Sequence, residues 1–339
     1  MDYINYVKQA PVQGVTGLYG GVQGSLMAAA PTGGGGGGAG AWYGDRGVWG
    51  GGYPNTEVLQ YVAITTPANA VDFGDMIQAT RARAPASGGG SASRGLYMGG
   101  RSSSPGPDTG CEYITIGTTG NGTDFGDIIS PSNGGYIAGA SNGTYAYAVG
   151  GNCCGGGIAD IQYFTIASTS NATDHGDMTA GRYGAGGTNN GTYAVIGGTQ
   201  NGTAPQNSID YFSMGTSGNG SDFGDLTKNR AYTGAFSNST GRAIFYSDGG
   251  DDSSTSTNQL DYFAIGTSGT AADFGDMTST RGWCCDQMAN ATHGLIAGGQ
   301  TPSGALAAID YVAMASTSIA TDFGDLLSAM TFAAGLSGT

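Results

Sequence analysis

Short apolar runs separated by Gly, Ser, Thr and Asn recur along this chain in a fixed order. Between residues 182 and 226, Tyr193-Ala194-Val195-Ile196 closes on Gly197-Gly198, and Ile209-Asp210-Tyr211-Phe212-Ser213-Met214 reads with the alternation of a strand. The pair Asn219-Gly220 then turns the chain into Asp222-Phe223-Gly224-Asp225-Leu226. Asn190-Gly191, ahead of Tyr193, is a second hairpin signal, because both residue types tolerate positive φ. The unit is expected to hold four short strands, the innermost near Arg182-Tyr183-Gly184-Ala185-Gly186.

The unit occurs six times. Asp-Phe-Gly-Asp begins at Asp72, Asp124, Asp222, Asp273 and Asp322, and Asp174-His175-Gly176-Asp177 fills the one gap. Successive copies lie 52, 50, 48, 51 and 49 residues apart, a period that belongs to propeller blades. A Tyr precedes every copy by 11 residues: Tyr61, Tyr113, Tyr163, Tyr211, Tyr262 and Tyr311. A fixed interval implies two strands held in register. A Gly-Gly pair ending at Gly51, Gly100, Gly151, Gly198, Gly250 or Gly299 precedes each Tyr. That second interval varies from copy to copy, shortest from Gly51 to Tyr61 and longer from Gly100 to Tyr113, as an exposed loop allows.

The two ends of the repeat array complement each other. Asp322 begins the last motif, and the chain then runs only as far as Thr339. That leaves room for one strand, around Thr331-Phe332-Ala333-Ala334-Gly335, and half a turn. The first Gly-Gly has a strand before it, Arg46-Gly47-Val48-Trp49, but no inner strand. The C-terminal strand is therefore expected to complete the blade that residues 45 to 77 begin, leaving no open seam. This predicts an all-β fold: one six-bladed β-propeller over residues 45–339, preceded by a segment 1–44 with a run of six glycines, Gly33 to Gly38.

Composition narrows the function classes. Gly numbers 67, charged residues are 11%, and the formal charge is −14 with 11 basic residues. Nucleic acid and anionic membranes need basic patches, so neither is an expected partner. The start of the chain shows no charged and apolar signal pattern, and no apolar stretch reaches the length of a membrane span, so membrane insertion is not expected either. The odd cysteine count (Cys111, Cys153, Cys154, Cys284, Cys285) does not read as a disulfide framework; a vicinal disulfide is the minor option beside small buried thiols.

Asp-Phe-Gly-Asp invites a kinase or metal reading. The loop, lysine and catalytic Asp of a kinase do not accompany it. A motif repeated six times is structural first, its carboxylates expected to accept backbone N–H bonds in a turn. Calcium is the alternative, with Asp72, Asp75, Asp124, Asp127, Asp222 and Asp225 as candidate oxygen ligands. Tripeptides such as Asn142-Gly143-Thr144 match a glycosylation acceptor but read as turn chemistry. His175 stands where the other copies have Phe and His293 opens a strand; two such histidines do not make a copper site or a nucleophile–base pair. No cofactor and no enzymatic activity are expected.

The order Arg, apolar run, Gly-Gly, spaced Tyr resembles the kelch repeat. The Arg is present as Arg81, Arg182, Arg230 and Arg281, with Asn133 and Met330 near the equivalent place, and Phe or His175 stands where kelch blades have Trp. The phrase Asn-Ala-Thr-Asp-Phe-Gly-Asp and Arg-Gly-Val-aromatic-Gly-Gly-Gly is also similar to kelch-like structural proteins of marine tailed phages. That resemblance implies a virion protein, a tail, fibre or capsid appendage, released by lysis without a secretion signal. Loops on one face would meet a host glycan or receptor, with Arg101, Asp108, Asn152, Asp251 and Asp252 as candidate contacts. Residues 1–44, with Tyr3, Ile4, Tyr6, Val7, Leu18 and Tyr19, would anchor the ring to other virion proteins or to sister copies, since so short a segment builds no core of its own. The alternatives are a bacterial carbohydrate-binding or scaffold propeller and, last, a galactose-oxidase- or sialidase-like enzyme.

Overall fold

Gly-Gly pairs, Asn-Gly turns and alternating apolar runs cut the chain into strands that assemble, in a computed structural model, as six blades around one axis. The structure describes residues 44–54, 56–77, 87–100, 109–129, 135–153, 156–201, 204–238, 240–247, 257–284 and 288–338. The chain divides into two compact units, Met1–Gly35 and Gly36–Thr339, and the described residues all belong to the second. Among them there is no helix.

Each blade is an antiparallel sheet whose strands run outward from the axis, in chain order in every blade but the first. Blade 4 shows the pattern: inner strand Gly186–Asn189, second strand Tyr193–Asn201, third strand Ala204–Ser213, outer strand Ser221–Arg230. Blade 6 keeps three strands, His293–Ala297, Ala308–Ala313 and Thr321–Asp325, with its inner edge reduced to a bridge between Ala289 and Gly294. Blade 1 closes the ring as expected. Its inner strand is Ala334–Gly338, paired antiparallel with Arg46–Gly50 from Arg46 opposite Gly338 to Gly50 opposite Ala334.

Inner strands are rich in Gly, Ala and Ser where they converge on the axis, with Phe236 and Leu336 as the large exceptions. A Cβ on Gly187 would lie 2.4 Å from the Gly139 carbonyl oxygen of the neighbouring inner strand. Farther out the blades face each other through larger side chains. Six apolar clusters fill the ring, one per junction. Val48, Leu59, Phe73 and Met76 of blade 1 meet Tyr97, Ile114 and Ile116 of blade 2, and Trp49 and Val62 of blade 1 meet Leu295, Ile309 and Phe323 of blade 6.

The repeated Asp-Phe-Gly-Asp is a β-bulge that clasps the next blade. In all six blades the register of the third and outer strands slips at this motif, and in blades 3 and 4 it slips a second time beyond it: Leu59 faces Gly74 while Gln60 faces Asp72, so Phe73 is the extra residue. The bulge turns Phe73, Phe125, His175, Phe223, Phe274 and Phe323 into the junctions, where none is more than 4% exposed. Each packs edge-on against the repeated Tyr of its own blade, with ring centroids 5.7–6.1 Å apart. The Gly after it lies at φ 142–148° and touches the next blade's turn so closely that a Cβ would fall 2.2–2.7 Å from that backbone. Only Gly serves there. The following Asp offers its carbonyl to the same turn: Asp75 O accepts from Gly122 N at 2.7 Å, and its counterpart does so at every junction, up to Asp325 O from Ala70 N at 2.7 Å. The expected carboxylate bond within the motif is found at Asp273, whose Oδ1 accepts from Gly275 N at 3.0 Å. The principal bonds come instead from the motif's backbone.

Two strand assignments differ from the sequence expectation. Arg182 and Arg230 end outer strands; they do not open inner ones. In blade 5 the left-handed position that Gly298 fills in blade 6 is taken by Ser247 at φ 70°, so Gly249-Gly250 is not the equivalent pair and lies outside the described residues. Asn142 Oδ1 accepts from the N–H groups of Thr144 and Tyr145, the turn role expected of that tripeptide. Cys111 and Cys284 are buried thiols, so Cys284 is in no vicinal disulfide; Cys154 and Cys285 lie outside the described residues.

Candidate functional site

The two ends of the ring are built differently. The connection from third to outer strand has the same length, seven residues, in every blade: 64–70, 116–122, 166–172, 214–220, 265–271 and 314–320. At the other end, the span between equivalent paired residues of the second and third strands varies: 11 positions from Trp49 to Gln60 in blade 1, 15 from Tyr97 to Glu112 in blade 2, 16 from Phe245 to Asp261 in blade 5, and 14 in blades 3, 4 and 6. The outer-to-inner connections emerge at that same end. Bridges join the two sets, Tyr53 with Thr331, Tyr183 with Gln200 and Gly282 with Gln300. One end is therefore uniform because it makes the clasps, and the other is free to vary.

At the variable end five aromatic rings meet on the axis. Tyr136, Tyr183, Tyr232, Trp283 and Phe332 each come from the connection leading into a different blade. Tyr136 lies 5.1 Å from Tyr232 and 6.0 Å from Phe332, and Tyr232 lies 5.8 Å from Phe332, measured between ring centroids. These three residues enter at every second junction, and only the axis lets them touch. Trp283 stacks on Phe332 at 5.5 Å with 27° between planes, and Tyr183 packs beside Tyr136 at 6.1 Å. Tyr183 and Phe332 are buried, whereas Tyr136, Tyr232 and Trp283 remain partly exposed.

The backbone beneath these rings is strained. Tyr136, Tyr232, Trp283 and Phe332 have φ of 56°, 53°, 52° and 58°. Bulky residues in that region are outliers that cost about 1–3 kcal/mol each. In the connection into blade 4 the position is occupied by Gly184 at φ 62°, and the aromatic stands one residue earlier, at Tyr183. Hydrogen bonds run around the axis through this position: Gly184 N to Tyr136 O at 3.0 Å, Thr233 N to Gly184 O at 3.1 Å, Phe332 N to Trp283 O at 3.2 Å.

Beneath the rim, each junction holds a side chain that accepts from the backbone two residues beyond the bulge motif. Asp210, Asp261 and Asp310 accept from Thr179 N, Thr227 N and Thr278 N at 2.8–2.9 Å. Each also pairs with a buried arginine: Arg182–Asp210 at 2.6 Å, Arg230–Asp261 at 2.9 Å, Arg281–Asp310 at 2.7 Å. Burial pulls the Arg182 guanidinium below its ordinary value, and Asp210 opposes that shift. The guanidinium groups also donate to backbone carbonyls of Ser208, Ser247 and Gly298. Buried and tied on both sides, these pairs join blades and do not face a substrate.

Of the sequence candidates, Asn152 is placed at the variable end, where its N–H donates to Gly135 O at 2.8 Å. Arg101, Asp108, Asp251 and Asp252 fall outside the described residues, as do Tyr3, Ile4, Tyr6, Val7, Leu18 and Tyr19. Asp72, Asp75, Asp124, Asp127, Asp222 and Asp225 are exposed on outer strands, two per blade. Among the described residues no three His, Cys, Asp or Glu side chains converge as a metal site. His175 is buried against Tyr147 and Tyr163, and that burial lowers its pKa from 6.5. The axial aromatics were not among the sequence candidates. The signal for them is one aromatic just before the inner strand in each of these connections. No family model matches the chain, and no curated protein matches it either.

Proposed function

We propose that this chain is a non-enzymatic structural protein of a phage particle, a tail, fibre or capsid appendage that presents one end of a propeller for host or glycan binding. The observation that carries the reading is the contrast between the two ends: six turns of one length at one, connections of unequal length at the other. A rigid scaffold with diversified loops on one face is how binding proteins separate stability from recognition. The kelch-like and phage-like phrasing of the repeat supplies the context, a virion released by lysis. In this reading residues 1–44 attach the ring to other virion proteins or to sister copies, and the reading assigns the chain no reaction and no cofactor.

The test is composition and attachment. Purified particles should contain the chain in fixed stoichiometry, and a protein lacking residues 1–40 should fold as a ring yet stay off the particles. Absence of the chain from particles made in infected cells sinks the virion reading and leaves a bacterial binding or scaffold propeller.

A further inference from the structure

Among the described residues, a left-handed position recurs just before the inner strand in five connections; it has a strain-free solution, which the protein uses at Gly184. Four other connections place Tyr136, Tyr232, Trp283 and Phe332 there despite the backbone cost. Burial alone does not account for the choice, because Tyr136, Tyr232 and Trp283 keep part of their surface in solvent. Large, half-exposed Tyr and Trp side chains on fixed backbone are what recognition centres are made of, since they present apolar area at little cost in conformational entropy.

We infer that the axial aromatic cluster is the contact platform for a neutral pyranose, stacked by its C–H face on Trp283 and the rings beside it. This rests on the reading of the variable end as the binding face and names the ligand class for it. Three observations select the class. The rings already touch, with Tyr136 and Tyr232 only 5.1 Å apart, so no cage remains in their midst for an ammonium group, and a ligand must lie on top. The described arginines of this end, Arg182, Arg230 and Arg281, are each held by a buried Asp, and the chain carries a net −14, which disfavours an anionic sugar. A tyrosine and an indole combine an apolar face with a polar edge, which suits a molecule that alternates C–H and O–H groups.

The test uses the full chain and saturation-transfer NMR with lactose, cellobiose, maltose and mannobiose at millimolar concentration, beside 3′-sialyllactose and choline chloride. At least one neutral disaccharide should receive saturation through its ring C–H protons. Tyr232→Gly and Trp283→Gly should fold, because Gly is the residue the backbone accepts at Gly184, and should weaken that binding roughly tenfold or more. Trp283→Phe should retain most of it. Saturation of choline or only of the sialylated sugar overturns the ligand class. No transfer to any neutral sugar, or equal transfer in folded Trp283→Gly, overturns the platform itself. Particle composition is read separately, so a chain found on virions that ignores these sugars refutes this inference alone, and a sugar-binding chain absent from virions refutes the virion reading alone.

Discussion

Two halves of the ring solve the same packing problem with different chemistry. At the junctions between blades 3 and 4, 4 and 5, and 5 and 6, an Asp on the third strand takes a backbone N–H, a Thr hydroxyl and an Arg from the preceding blade. At the junctions between blades 2 and 3 and between 6 and 1 the same place is held by Gln162 and Gln60, which accept from Ile129 N and Leu327 N at 2.8 Å. Gln60 Nε2 meets the Met330 sulfur at 3.5 Å where the other half has an arginine. Glu112 accepts from Ile77 N at 2.7 Å at the remaining junction. The Thr of the charged half becomes Ile77, Ile129 and Leu327, exposed by 55%, 54% and 51%. What all six junctions share is the acceptor for one backbone N–H; among the described residues the buried ion pair is seen at three of them. A buried ion pair often adds little net stability over a neutral substitute, though removing one partner is costly.

That comparison has a large test. Arg230→Met should destabilise by about 3–5 kcal/mol, because Asp261 is left charged and buried. Arg230→Met with Asp261→Gln copies the blade 6–1 junction and should recover to within about 1–2 kcal/mol of the parent, read from urea midpoints. A double variant as unstable as the single one would mean that the ion pair, and not the shared acceptor, holds that half together.

A smaller effect sharpens the same point. Gly224→Ala, at a charged junction, and Gly324→Ala, at a neutral one, push a Cβ to within 2.2 and 2.4 Å of the next blade's backbone at φ 146° and 148°. Both should lose about 2–3 kcal/mol. Unequal losses would show that the clasp is not independent of the chemistry beneath it.

The smallest effect concerns His175. Its folded-state pKa is depressed by burial, so below about pH 6.5 the unfolded chain binds a proton that the folded one refuses. Stability is fully present above that pH and falls as the solution is acidified. His175→Phe restores the residue of the other five blades, should change stability by less than about 1 kcal/mol at pH 8, and should flatten the decline below pH 6.5. An unchanged acid profile would place the titrating group elsewhere.

The sequence made the ring legible where one residue type recurs at one interval. Tyr61 and Phe73 and their five counterparts mark the blades, and the missing inner strand before Arg46 marks the closure. The bulge was hidden, because an extra residue in a strand leaves no trace in a period counted from motif to motif. The arginines were assigned to the wrong strand, since strand ends follow hydrogen bonds to a neighbouring blade distant in sequence, as Arg230 does with Asp261. The axial platform leaves only a faint sign in the sequence, one aromatic just before the inner strand in five connections. Gly135-Tyr136, Tyr183-Gly184, Ala231-Tyr232 and Gly282-Trp283 share no local phrase, and only the fold brings their rings together.

The pairing of Ala334–Gly338 with Arg46–Gly50 also sets a clock on synthesis. The ribosome releases Gly50 and must make every strand of the next five blades before Ala334 appears. At about 5–20 residues per second that takes roughly a quarter of a minute to a minute. During that wait Arg46–Gly50 can pair on one side with Val58–Ala63, while its other side, a row of unpaired N–H and C=O groups, has no partner yet made. Until that final strand arrives, the edge of Arg46–Gly50 stays open to a foreign strand.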